Sequence, residues 1–104
     1  MKKIIWAPVY LCDAIPLYLN SDYTELWDLS AGDEPIYFSD RAEAESIIIM
    51  LTILEDDWYD IAKIEVEEGQ EEDYKNWTLM FYTNDEIRLY YGEDFLNKIN
   101  KSSI

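Results

Sequence analysis

The sequence predicts a small α+β domain spanning 1–104. It is a mostly antiparallel β-sheet with one main helix, about 40–56, packed on a face, and a short C-terminal helix. Three observations predict it. IAKIEVEEG (61–69) alternates, with Ala62, Ile64 and Val66 on one side and Lys63, Glu65 and Glu67 on the other. That is the period of a half-buried strand. SDRAEAESIIIMLTILEDD (39–57) instead places Ala44, Ile47, Ile48, Leu51 and Leu54 at helical spacing. Hydrophobic residues make up 49% of the 104, so the chain can build a core despite its charge.

In chain order, IIWAPVYLC (4–12) reads as a buried first strand, with Pro8 pushing it towards an edge or a bulge. IPLYLN (15–20) reads as a second short strand. TELWDLS (24–30) is ambiguous. AGDEP (31–35) is a loop, and IYF (36–38) a short strand. Ser39 is the expected N-cap of the main helix, followed by acids in its first turn. Ile49, Met50 and Ile53 fall off the main apolar face, so this helix is either covered on two sides or leaves one side for a partner. WTLMFYT (77–83) and EIRLYY (86–91) read as a hairpin turning at Asn84-Asp85. EDFLNKIN (93–100) closes the chain as a helix with Phe95, Leu96 and Ile99 inward. Trp6, Trp27, Trp77, Phe81 and most tyrosines are expected in the core.

The opening MKKIIWAPVYLCDAIPLYL pairs two lysines with an apolar run. Pro8, Asp13 and Pro16 interrupt it and no small-residue cleavage site follows. No run approaches the roughly 18 apolar residues of a spanning helix. A cytoplasmic protein is expected. The single Cys12 gives neither a disulfide nor a zinc set, and reads as a small hydrophobe in a strand.

The residue types argue against an enzyme. There is no histidine, hence neither the commonest general base nor the commonest metal ligand. The three glycines are scattered, so no phosphate-binding loop is formed. EDDWYD (55–60) carries oxygen ligands but lacks the calcium-loop spacing and its turn glycine. No metal and no cofactor are expected.

Charge is the outlying property. Twenty-three Asp and Glu face eight Lys and Arg, a formal −15. Between Ile4 and Ala62, Arg41 is the only cation among thirteen carboxylates. Solubility needs a net charge of only about 2–8 on a small domain, so the excess asks for another reason. Such a surface repels nucleic acid and anionic membrane and attracts basic proteins. Alternate residues on a strand face lie about 6.6 Å apart, close to the spacing of a phosphate row at about 3.4 Å of axis per charge along a winding path. EVEEGQEEDY (65–74) supplies the main expected phosphate surrogates: Glu65, Glu67, Glu68, Glu71, Glu72 and Asp73. Asp56, Asp57 and Asp60 form a second expected row, with Tyr59 and Tyr74 as aromatic anchors.

With about 100 residues, strong negative charge, no histidine, one cysteine and the acid runs Glu55-Asp56-Asp57 and Glu65 to Asp73, the chain resembles the small acidic inhibitors that bacteriophages encode against host defence. These are anti-CRISPR proteins and other DNA mimics. The resemblance implies a competitor that occupies the basic, DNA-binding surface of a host nuclease such as a CRISPR effector. Two alternatives stand beside it: an immunity protein neutralising a basic toxin, and a small phage structural or regulatory protein. The last would be a homodimer formed through Ile49, Met50 and Ile53.

Overall fold

The computed structural model describes residues 1–12, 15–26, 34–54 and 59–102, with the backbone alone at 53, 54 and 99–102. Among these residues, five strands form one antiparallel sheet: β1 (Lys2–Cys12), β2 (Ile15–Leu19), β3 (Glu25–Leu26), β4 (Tyr59–Glu67) and β5 (Thr78–Met80). Their order is β3-β2-β1-β4-β5. Three helices accompany the sheet: α1 (Arg41–Leu54), α2 (Asn84–Tyr91) and α3 (Glu93–Ser102). The predicted α+β class holds, with one helix more than expected. Among the described residues no helix is long and apolar enough to cross a membrane.

The long β1–β4 ladder runs from Lys2↔Glu67 to Tyr10↔Tyr59 and sets the register of everything else. It brings Ile5, Ala7 and Val9 beside Ile64, Ala62 and Val66, all buried. Full burial of each larger side chain in this cluster contributes about 1.5–3 kcal/mol. A second layer, α1, lies across β1 and β4 and buries Ala44 and Leu51. Ile49 and Met50 stay on its outer side, at 60% and 36% exposure.

Five sequence expectations need correction. First, β1 is the central strand, although it contains Pro8. The ladder to β2 stops at Val9↔Tyr18, one residue before the proline. The next carbonyl, Leu19 O, accepts from Ile36 N–H at 2.8 Å, and Trp6 exchanges two 2.8 Å backbone bonds with Phe38. A separate segment thus takes over the ladder at the residue that cannot donate. Second, IYF is for that reason a single bridge, Trp6↔Phe38, and not a strand.

Third, the expected hairpin is absent. Residues 84–91 are helix α2, because Thr83 and Glu86 form a reciprocal capping box: Thr83 Oγ1 accepts from Glu86 N–H at 3.2 Å, and Glu86 Oε1 accepts from Thr83 N–H at 2.9 Å. Fourth, Asp40 caps α1 in place of Ser39, its Oδ1 accepting from Ala42 N–H at 3.0 Å. Fifth, Phe81 is 94% exposed and outside the core, and Phe95 is 44% exposed while its neighbour Leu96 is buried.

Candidate partner-binding surface

Beyond β4 the chain folds through successive tight turns. Gln70 N–H bonds Glu67 O at 2.9 Å, Asp73 N–H bonds Gln70 O at 3.1 Å, and Asn76 N–H bonds Asp73 O at 3.0 Å. The first turn needs Gly69, whose φ of 89° is costly for a residue with a Cβ. The last leads through a single 3-10 turn, Tyr74–Asn76, into Trp77. Trp77 fixes the excursion by donating its indole N–H to Glu71 O at 2.8 Å.

Trp77 is also the hub of an aromatic roof. Tyr18, Tyr37 and Tyr74 meet its ring edge-on, at centroid distances of 5.2, 5.7 and 5.4 Å. Tyr18, Tyr37 and Trp77 pack on the buried β1–β4 cluster. Carboxylates rim this roof. Burial, then Glu72 and Glu71, holds the Tyr37 phenol above its ordinary pKa. Burial, then Glu34 and Glu72, does the same for Tyr74. Both hydroxyls therefore stay protonated at neutral pH, inside a field of carboxylates.

The expected phosphate surrogates divide into two groups. Glu67 pairs with Lys2 Nζ at 3.1 Å and with the Met1 amino group at 3.3 Å. Glu71 pairs with Lys3 Nζ at 2.6 Å and also accepts from Gly69 N–H at 3.2 Å. The Lys3 bond, followed by the backbone bonds, lowers the Glu71 carboxyl to about 2. These two acids serve the fold. Glu65, Glu68 and Glu72 make no ion pair among the described residues, and the Asp73 carboxylate accepts from the Asn76 side-chain amide at 2.6 Å. Glu68 and Glu72 are exposed, and Glu65 is half-buried on the β4 face that also carries Lys63. Glu65 and Glu67 share one strand face as expected, but Lys2 stands directly across from Glu67.

The second row fares differently. Asp56 and Asp57 lie outside the described residues. Asp60 is turned into the structure, its Oδ1 accepting from Tyr91 O–H at 2.6 Å and from Ile61 N–H at 2.8 Å. Tyr59 meets Tyr10 edge-on at 5.6 Å, and Tyr74 is half-buried in the roof.

Two features escape a reading of the sequence. Glu34, Tyr18 and Tyr37 join the acidic roof only because β2 and the Ile36–Phe38 segment flank β1. Arg41, the only cation between Ile4 and Ala62, is buried at 7% exposure within four rings: Tyr90 at 3.8 Å, Tyr82 and Tyr91 at 5.6 Å, and Trp6 at 5.9 Å. It pairs with Glu45 and donates to Tyr91 Oη at 3.2 Å, so it offsets little of the surface charge. Its isolation among acids was the one hint in the sequence.

The charge is also unevenly placed. Residues 1–73 hold nineteen acids and four cations, a net −15; residues 74–104 hold four of each. No protein-family model, no curated protein and no solved structure matches this chain.

Proposed function

We propose that this protein is an acidic inhibitor that occupies the basic nucleic-acid-binding surface of a host defence nuclease, in the manner of anti-CRISPR and other DNA-mimicking proteins. The observation that carries this reading is the rim of Glu34 and Glu72 around Tyr37, Tyr74 and Trp77, with the exposed Glu68 near Lys3 on the loop that follows β4. The amino terminus, Lys2 and Lys3 are already engaged by Glu67 and Glu71, which leaves the exposed Lys75, next to Tyr74, as the one unpaired cation beside the rim among the described residues. Carboxylates around half-buried aromatic rings suit arginine and lysine side chains, which pair with the first and stack on the second. The tyrosine hydroxyls add neutral donors and acceptors.

In this reading the protein acts as a competitor, not an enzyme, in the bacterial cytoplasm, and binds no nucleic acid itself. Glu68, Glu72 and Asp73 are the phosphate surrogates on the loop beside the roof, Glu65 is an acid on the opposite face of the sheet, Tyr74 is the anchor, and Glu67 and Glu71 hold the loop in shape. Steering by a net −15 makes association fast and salt-sensitive.

The test is competition. Purified CRISPR effectors and restriction nucleases are each bound to labelled target DNA, and this protein is titrated in at low and high salt. Displacement of DNA from one of them, weakened by salt, is the expected result. Binding that leaves DNA in place on every nuclease, or binding only to a toxin whose substrate is not nucleic acid, refutes DNA mimicry.

A further inference from the structure

The acidic roof leaves one surface of the molecule unused. Directly after Trp77 the chain enters β5, an edge strand with β4 on one side only. Residues 76–84, NWTLMFYTN, carry no charge. Phe81 is 94% exposed and Leu79, two residues away on the same strand direction, is 50% exposed. Phe81 stands as a ridge between two depressions. One, of about 200 Å³, is lined by Val9, Leu11, Pro16 and Leu79, with Asp60 and Lys63 also in its wall. The other, of about 280 Å³, is lined by Asp60, Tyr82, Ile87, Tyr91 and Phe95.

We propose that two copies of this chain associate through this surface, with the β5 edges side by side and each Phe81 ring seated in the other copy's depression. A ridge beside a hole on one face is self-complementary, which is what a two-fold interface requires. The charge distribution points the same way. All of the net −15 lies in residues 1–73, while 74–104, which supply β5, α2 and α3, are neutral. The charged residues that the first 73 positions add to the depressions are Asp60 and Lys63, of opposite sign, so like-charge repulsion between copies is weak here and a basic partner finds no excess of acid to recognise. The exposed parts of Leu79, Phe81 and Phe95 come to roughly 400 Å² per copy, about half of the ~800 Å² each partner gives to a standard interface. Edge backbone and polar rim complete the contact, and the dimer dissociates on dilution. It carries two acidic roofs. The inference does not depend on what those roofs bind.

Sedimentation velocity, from low micromolar to submillimolar protein, tests it on the full chain. Wild type is expected to shift from monomer to dimer with concentration. Phe81→Asp is expected to weaken the dimer at least tenfold with an unchanged circular dichroism spectrum, since the ring has little to lose in the monomer. Leu89→Asp, which alters an exposed side chain in neither depression, is expected to dimerise as wild type does. Leu79→Thr replaces Phe81→Asp if the latter perturbs the fold. A wild type that stays monomeric overturns the proposal. So does a dimer that survives Phe81→Asp, or one broken by Ile49→Asp on α1. A monomer whose capture of a basic protein is lost in Phe81→Asp assigns the face to that protein, and overturns it equally.

Discussion

The Arg41 guanidinium lies 3.8 Å from the centre of the Tyr90 ring, which joins the first residue of α1 to α2 across the end of the sheet. Tyr91 extends the link, accepting from Arg41 and donating to Asp60 on β4. A cation removed from water in this way depends on all its neighbours at once. Arg41→Ala is expected to cost about 2–4 kcal/mol, since it opens a cavity and leaves Glu45 unpaired. Arg41→Lys recovers less than half, because an ammonium cannot stack flat on Tyr90 while reaching Glu45 and Tyr91. Chemical denaturation measures both. A loss below about 0.5 kcal/mol for Arg41→Ala, the level of an ordinary surface change, denies Arg41 this role.

The Thr83–Glu86 capping box yields a second prediction. Thr83→Ala is expected to destabilise the protein by about 1 kcal/mol, the usual value of a lost N-cap. Asp85→Gly separates helix from hairpin. In a two-residue turn the resulting Asn-Gly pair is favourable. In the first turn of α2 it removes the Arg88 contact at 3.0 Å and adds backbone freedom, so a loss of about 1 kcal/mol is expected. A gain in stability contradicts the helix.

These two cases show what the sequence could and could not reveal. The β4 alternation and the α1 spacing were legible because each buries one face against a single neighbour, and burial leaves a period. The α2 segment was not, because Ile87, Tyr90 and Tyr91 are of types enriched in strands, and its decision lies in a pair of caps three residues apart. Pro8 misled for a related reason. Its missing N–H disqualifies it from a central strand only if no other segment fills the gap, and Ile36–Phe38 does so from a distance no periodicity reports. For the candidate site, the acids of 65–73 were evident, but their division into paired and unpaired depends on the Lys2↔Glu67 register. Phe81, expected inside, is displaced outward because β5 ends at Met80.

Glu71 makes a prediction about pH. Its carboxyl is lowered to about 2 in the folded protein, chiefly because of Lys3, from an ordinary value of 4.5. A depressed carboxyl stabilises the fold above its unfolded pKa, and that contribution fades as pH falls through the folded value. The difference in Tm between wild type and Glu71→Gln is therefore expected to be full above about pH 4.5 and to vanish towards pH 2. In a carboxyl-detected NMR titration, Lys3→Ala should move the Glu71 midpoint upward. A midpoint unmoved by Lys3→Ala shows that Lys3 does not hold it.

The choice of residues for charge reversal follows from the same pairing. Reversing Glu67 or Glu71 opposes Lys2 or Lys3 and loosens the loop, so lost binding could mean lost shape. Glu68 and Glu72 hold nothing in place among the described residues, and Glu68→Lys with Glu72→Lys alters the rim while leaving Tyr37, Tyr74 and Trp77 where they are. Against a nuclease displaced from DNA by the wild type, this double variant is expected to lose about 10–100-fold in affinity, with a shallower dependence on salt. The matched control is Asp40→Asn with Glu43→Lys at the start of α1. It removes nearly as much net charge and should lose only a few-fold. Equal losses in the two variants mean that the partner senses overall charge and no particular surface. A selective loss at Glu68 and Glu72 places the contact on the roof, and Tyr74→Ala should then weaken binding further without lowering the salt dependence.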